Sequence, residues 1–136
     1  MKVLADTPVW SAALRRSAGE DSALRTELEW LVTHGAVAIM GPIRQELLSG
    51  IKGQAQFDQV RTALRHFPDV ALQTEDFETA ASYYNTCRGK GVQGSLTDFL
   101  ICAVAVRRDL EIFTTDGDFV HYRKHLPIAL YVSAQA

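Results

Sequence analysis

Strand candidates over residues 2–5, 36–40, 111–113 and 128–132 alternate along the chain with helical stretches, taken singly or in pairs. That alternation constrains the fold more than any other feature, because parallel strands need a crossover connection that is usually a helix. It predicts an α/β chain, a three-layer α/β/α domain around a mostly parallel central sheet. A further brief strand is expected over residues 70–72. The 136 residues fit a single domain, 1–136, long enough to bury a sizeable core.

Local signals divide the rest. Asp6 ends the first strand, and Thr7-Pro8 reads as an N-cap followed by proline at the first helical position, opening a helix to about Arg16. A loop is expected over residues 17–21 and a helix over 22–34, with Gly35 closing it. Gly41-Pro42 opens a helix running to Leu48. Residues 54–66 place Phe57, Val60, Leu64 and Phe67 at helical spacing, and a further helix is expected over 75–88. Residues 89–94 hold three glycines and one basic residue, Lys90, the most flexible-looking stretch. Ser95 starts a nearly all-apolar helix that ends at Arg107-Arg108, and a short helix is expected over 118–125. The longest unbroken apolar run, residues 99–106, is far too short to span a bilayer. The N-terminus reaches Asp6 too soon for a signal peptide, so a cytoplasmic location is the expectation.

Four acids far apart in sequence, Asp6, Glu46, Asp98 and Asp116, converge if this topology forms. In open parallel sheets functional sites lie beyond the carboxyl ends of the strands. Asp6 and Asp116 each follow a strand and belong at that rim. Glu46 sits about one turn into the helix after the second strand, within reach of the rim. The helix that begins at Asp98 is about 15 Å long and the following strand about 16 Å. Folding one back on the other returns Asp98 to face Asp116. Four carboxylates there suffer like-charge repulsion, and they suit one or two Mg²⁺ or Mn²⁺ ions, which take oxygen ligands. Such ions activate water and stabilise the leaving oxygen of a phosphodiester.

Cys87 and Cys102 show neither zinc-ligand nor disulfide-framework spacing, and Cys102 is expected to pack as a small hydrophobe. The net charge of −2 does not announce a nucleic-acid binder.

Each acid also has a plainer explanation. Asp98 fits a capping box with Ser95, Asp116 a turn before Gly117, Glu46 a solvated helix position, and Asp118 either a metal ligand or a helix N-cap. These explanations do not predict convergence, whereas a metal site does. His34 and His66 lie near helix ends, and the i, i+4 pair His121 and His125 is expected in surface or packing roles. Arg15, Arg16, Arg88, Lys90, Arg107, Arg108, Arg123 and Lys124 are candidates for contact with the phosphates of a phosphodiester substrate. Arg88 and Lys90 are favoured, since their glycine-rich loop leads directly to Asp98. Trp10, Leu14, Leu24, Leu28 and Leu31 suggest either core packing or a groove for a partner's amphipathic segment.

Val3-Leu4-Ala5-Asp6-Thr7 with Val9-Trp10, then Glu46-Leu47-Leu48, Thr97-Asp98-Phe99-Leu100-Ile101-Cys102-Ala103 and Thr114-Thr115-Asp116-Gly117-Asp118-Phe119 follow one another in order. With these motifs the chain resembles, over essentially its whole length, the PIN-domain ribonucleases, in particular the VapC-type toxins of toxin–antitoxin pairs. The resemblance implies a Mg²⁺- or Mn²⁺-dependent endoribonuclease acting on RNA. It further implies a homodimer, and inhibition by a cognate antitoxin whose tail enters the acidic cleft. It carries Asp6, Glu46, Asp98 and Asp116 over as the acidic quartet, Thr114 as a hydrogen-bonding support and Asp118 as an auxiliary acid. Pro8 departs from the family's usual Ser or Asn and removes a polar side chain and a backbone N–H beside Asp6. The competing readings are a catalytically silent PIN-fold adaptor that binds protein or RNA, and a receiver or aspartate-nucleophile phosphatase. The phosphatase motif is absent, because Asp6 is followed by Thr7-Pro8.

Overall fold

The computed structural model describes residues 2–14 and 20–132. Three short parallel strands, β1 (Val3–Ala5), β2 (Val37–Ala38) and β3 (Glu111–Phe113), form one sheet in the order β2-β1-β3. β1 lies in the centre, pairing Val3 with both Val37 and Glu111. All three of its side chains are buried, as a strand covered on both faces requires. The helices are α1 (Thr7–Leu14), α2 (Glu20–Thr33), α3 (Gly41–Leu48), α4 (Gln54–Leu64), α5 (Thr74–Gly89), α6 (Leu96–Arg107) and α7 (Asp118–Arg123).

Two expected strands are reduced to single bridges. Residues 70–72 form no strand; Ile39 bridges Asp69 in parallel, and the Val70 N–H donates to the Ile39 carbonyl at 2.8 Å. Residues 128–132 likewise contribute one bridge, Ile112 to Leu130. Both lie at the sheet edges, where a segment has only one neighbour to pair with. The strand expected over 36–40 contracts to Val37–Ala38 plus the bridge at Ile39. Helix α2 begins at Glu20 rather than residue 22, and α7 ends at Arg123 rather than 125. Arg15, Arg16 and most of the loop expected over 17–21 fall outside the described residues.

Helix α6 sits at the centre of the core. Residues 99–105 are all buried, so its apolar residues encircle it and it needs neighbours all round. Its exit is tight. The Leu110 N–H donates to the Ala105 carbonyl at 2.8 Å, and Asp109 takes the left-handed conformation at φ 56°. Aspartate tolerates that region better than most residues. This closure turns the chain straight from α6 into β3.

The leucines and tryptophan of the first two helices serve the core. Trp10, Leu28 and Leu31 are buried, which rules them out of a partner groove, and the partly buried Leu14 and Leu24 pack against the same cluster. Trp10 is held further by its indole N–H, which donates to the Ala5 carbonyl at 3.1 Å. Cys87 and Cys102 are buried free thiols. Among the described residues no helix is long and apolar enough to cross a membrane.

Candidate active site

Beyond the carboxyl end of β1, Asp6 is 5% exposed, and its backbone N–H donates to the Phe113 carbonyl of β3 at 2.8 Å. Its two carboxylate oxygens have separate partners. The Thr7 N–H donates to Oδ1 and the Thr114 hydroxyl to Oδ2, each at 2.8 Å. Pro8 leaves both contacts in place. Thr114 is a junction, because its Oγ1 also accepts from the Asp116 N–H at 3.0 Å. Asp116 in turn accepts the Asp118 N–H on Oδ1 at 2.9 Å. Asp116 therefore caps the start of α7. The N-cap reading of Asp118 is corrected: Gly117 precedes the helix, and Asp118 is its first residue.

Asp98 enters from the first turn of α6. Its backbone N–H donates to the Ser95 hydroxyl at 3.1 Å, the N-cap bond expected of a capping box. Its carboxylate has a separate partner, since Oδ2 accepts the Tyr122 hydroxyl at 2.7 Å. One carboxylate oxygen from each of Asp98, Asp116 and Asp118 lies within 4.8 Å of the others. Asp6 joins this trio through Thr114 and through its charge coupling to Asp98. Glu46 stands on the other side of Asp6. It is exposed on α3, accepts the Thr7 hydroxyl on Oε1 at 2.9 Å, and acts on Asp6 by charge. Four of the five sequence-picked acids thus share one linked cluster, and Glu46 borders it.

Electrostatics at this rim is strained in one direction. Burial pushes the Asp6 carboxyl above its ordinary range, opposed by the Thr114 and Thr7 hydrogen bonds and reinforced by the charges of Asp98 and Glu46. Burial likewise raises Asp98, against the Tyr122 and Ser95 hydroxyls, with Asp116 and Asp118 adding to the rise. Among the described residues no Lys, Arg or His forms an ion pair with any of the five acids. Gathered carboxylates of like charge favour the approach of a cation.

Tyr122 was not singled out by sequence reasoning. It is fully buried, with its ring against Phe99 and Phe119. A buried tyrosine hydroxyl usually finds a partner, and here the partner is the Asp98 carboxylate. Gly94 makes the room: a Cβ there would lie 2.2 Å from the Tyr122 hydroxyl oxygen. The available signal was the i, i+3 pair Phe119 and Tyr122 on the buried face of α7, but nothing in that spacing identifies Asp98.

The other candidates separate. Arg107 and Arg108 are turned to Asp76 at the far end of α6, with contacts of 2.8 and 2.7 Å, so they are removed from the RNA-contact candidates. His121 and His125 belong to no cluster of three or more metal-ligating side chains among the described residues. His34 stacks on Trp30, with ring centroids 4.0 Å apart. Residues 89–94 are held at their start, since the Lys90, Gly91 and Val92 N–H groups all donate to α5 carbonyls. Arg88 and Lys90 are exposed there.

A sequence model of the PIN domain matches residues 3–125. Ribonuclease VapC11 of Mycobacterium tuberculosis and a VapC ribonuclease of Mycobacterium bovis are each 29% identical over 121 residues, covering 86% of this chain and 88% of theirs. In fold, the chain is similar to FitAcB from Neisseria gonorrhoeae, with a TM-score of 0.76 at 18% identity over 96% of each chain. It is also similar to VapBC2 from Rickettsia felis, solved bound to a DNA fragment from their promoter. That match has a TM-score of 0.78 at 16% identity, over 96% of this chain and 98% of that one. With the family match spanning most of the chain and the α/β/α architecture in agreement, the protein belongs to the PIN domain family.

Proposed function

We propose that this chain is a single-domain, divalent-metal-dependent endoribonuclease, the toxin of a toxin–antitoxin pair, acting in the cytoplasm on RNA. The observation that carries the proposal is the carboxylate trio within 4.8 Å, joined to buried Asp6 and free of any counter-cation among the described residues. The donor set fits the metal: hard carboxylate oxygens suit Mg²⁺ or Mn²⁺, and neither His nor Cys belongs to the cluster. Asp98, Asp116, Asp118 and Asp6 would hold the ion, with Glu46 bordering it. When bound, such an ion lowers the pKa of a coordinated water and offsets charge on the phosphodiester oxygens.

The chain's own residues supply the geometry. Thr114 fixes Asp6 and Asp116 relative to each other, and Tyr122 holds one oxygen of Asp98. Cys102, one turn along α6 from Asp98, is no competing nucleophile. Burial and the Asp98 charge push its thiol up, and only the thiolate attacks. Arg88 and Lys90 provide exposed positive charge that we assign to RNA contact, Lys90 to the phosphates. Likeness to VapC ribonucleases and to VapBC2 supports an antitoxin partner, and a homodimeric state is part of the same proposal.

The test is cleavage of defined tRNA, rRNA and mRNA by purified, partner-free protein with Mg²⁺, Mn²⁺ or EDTA, beside Asp98→Asn. The expected result is cutting that needs the metal and vanishes in the variant. Intact RNA in every lane, together with no metal binding, would replace this reading with the silent adaptor.

A further inference from the structure

A second recess opens beside the acidic rim, lined by Tyr84, Arg88, Val92, Gln93, Gly94 and Phe99. It shares structure with the site. Phe99 directly follows Asp98, and Gly94 is the residue whose missing Cβ admits the Tyr122 hydroxyl that bonds Asp98. The recess has a volume of about 200 Å³. That is below the roughly 300–1,000 Å³ of a site for a whole small molecule, and it suits one ring system of a larger ligand.

Its lining combines two chemistries. Tyr84 and Phe99 meet edge to face, with centroids 5.6 Å apart, and give an aromatic floor. Arg88 and Gln93 are exposed at its edge, and no carboxylate lines it. Among the described residues the Arg88 guanidinium has no carboxylate partner, and its one side-chain hydrogen bond is a long one, 3.4 Å to the Tyr84 hydroxyl. The guanidinium is therefore uncommitted. The loop carrying Gln93 is anchored, since the Val92 N–H donates to the Cys87 carbonyl at 2.8 Å.

We propose that this recess binds one unpaired nucleobase of the RNA beside the cleaved phosphate, with guanine preferred. The assignment rests on the nuclease reading for its substrate and on the recess itself for its chemistry. Unpaired bases are taken by proteins on aromatic or guanidinium surfaces and through their hydrogen-bonding edges. Guanine offers two adjacent acceptors, O6 and N7, to an arginine fork, the commonest specific arginine–base contact. Its N1–H and N2–H groups suit an amide oxygen such as that of Gln93. Adenine presents a donor where guanine presents O6, so Arg88 discriminates between the purines.

The experiment is an NMR titration in EDTA, which prevents cutting, of an oligouridine carrying one guanine, the same oligomer with adenine instead, and free guanosine monophosphate. The guanine oligomer should bind roughly tenfold more tightly than the adenine one. Its shifts should centre on the Val92 and Gly94 amides. Arg88→Ala and Gln93→Ala should each reduce the preference, and Arg88→Lys, which keeps the charge and loses the fork, should reduce it as well. Equal affinities for the two oligomers, or a preference unchanged in all three variants, overturns the proposal. Tighter binding of the free nucleotide than of the oligomer also overturns it, by making the ligand a small molecule rather than RNA. A guanine preference in a protein that cuts no RNA with metal present would remove the nuclease reading and leave the base site standing. Metal-dependent cutting without the preference would do the reverse.

Discussion

At the C-terminal end of α6, Arg107 and Arg108 close on Asp76, which is 0% exposed. At its N-terminal end, Asp98 lies among Asp6, Asp116 and Asp118 with no cation beside it among the described residues. Both regions bury carboxylates, and both agree with the helix dipole, which favours acid at the start and base at the end. Their electrostatics point in opposite directions. The Arg108 guanidinium lowers the Asp76 carboxyl from its ordinary value, and the Gln73 N–H at 2.7 Å supports it. Burial and like charges hold Asp6 and Asp98 above that range. One region is complete as it stands and serves stability. The other gathers like charges at a cost to stability, which is what the proposed cation would offset.

Removing an acid from each region should have opposite consequences, and the largest expected effect is at Asp76. Asp76→Ala leaves two arginines gathered around a vacated carboxylate, and about 3 kcal/mol of unfolding free energy should be lost. Chemical denaturation checks this, and a loss below about 1 kcal/mol would mean that the paired region is not a stability element. At the rim, Asp98→Asn should reduce metal-dependent cleavage by more than about 100-fold, because losing a metal ligand costs more than losing a residue that only orients one. The metal-free variant should unfold at or above the wild-type denaturant midpoint, since a repelling charge is gone. A marked loss of stability would erase the contrast.

Tyr122→Phe probes the rim more gently. It keeps the ring against Phe99 and Phe119 and removes only the bond to Asp98. Mn²⁺ affinity should fall about tenfold, as for other groups that orient a ligand. Gly94→Ala should reach the same bond from the other side, at about 1–3 kcal/mol of overpacking.

The smallest effect is in pH. A depressed folded pKa at Asp76 stabilises above the unfolded carboxylate value of about 3.9, and that contribution disappears as pH falls through the folded value. Raised folded values at Asp6 and Asp98 do the reverse in metal-free protein: stability rises as pH falls through them. A stability profile on acidification should therefore rise slightly, then fall, and Asp76→Ala should lack the fall. Profiles of identical shape would dissolve the distinction between the two regions.

The two regions also differ in how far the sequence revealed them. Asp6 and Asp116 were placed by the rule for strand ends, and Asp98 by comparing a helix length with a strand length. These are arguments about backbone direction, which apolar patterning exposes. The bonds that hold the carboxylates are side-chain events between distant segments. Tyr122 to Asp98 and Arg108 to Asp76 join α7 to α6 and α6 to α5, and no periodicity reports them. Patterning also overstated the sheet, because an apolar run over 70–72 or 128–132 cannot say whether it has one neighbour or two. Glu46 shows a further limit: one helical turn brought it to the border of the cluster, bonded to Thr7.

The most direct test of the rim is calorimetric titration of Mn²⁺ into metal-free wild-type protein, with Asp98→Asn as the comparison. Saturable binding should appear in wild type and be lost in the variant, and a hundredfold excess of ion over its Kd should stabilise the fold by about 2.7 kcal/mol. A folded wild-type protein that binds neither Mn²⁺ nor Mg²⁺ would contradict the account, because the gathered carboxylates would then have no cation to complete them.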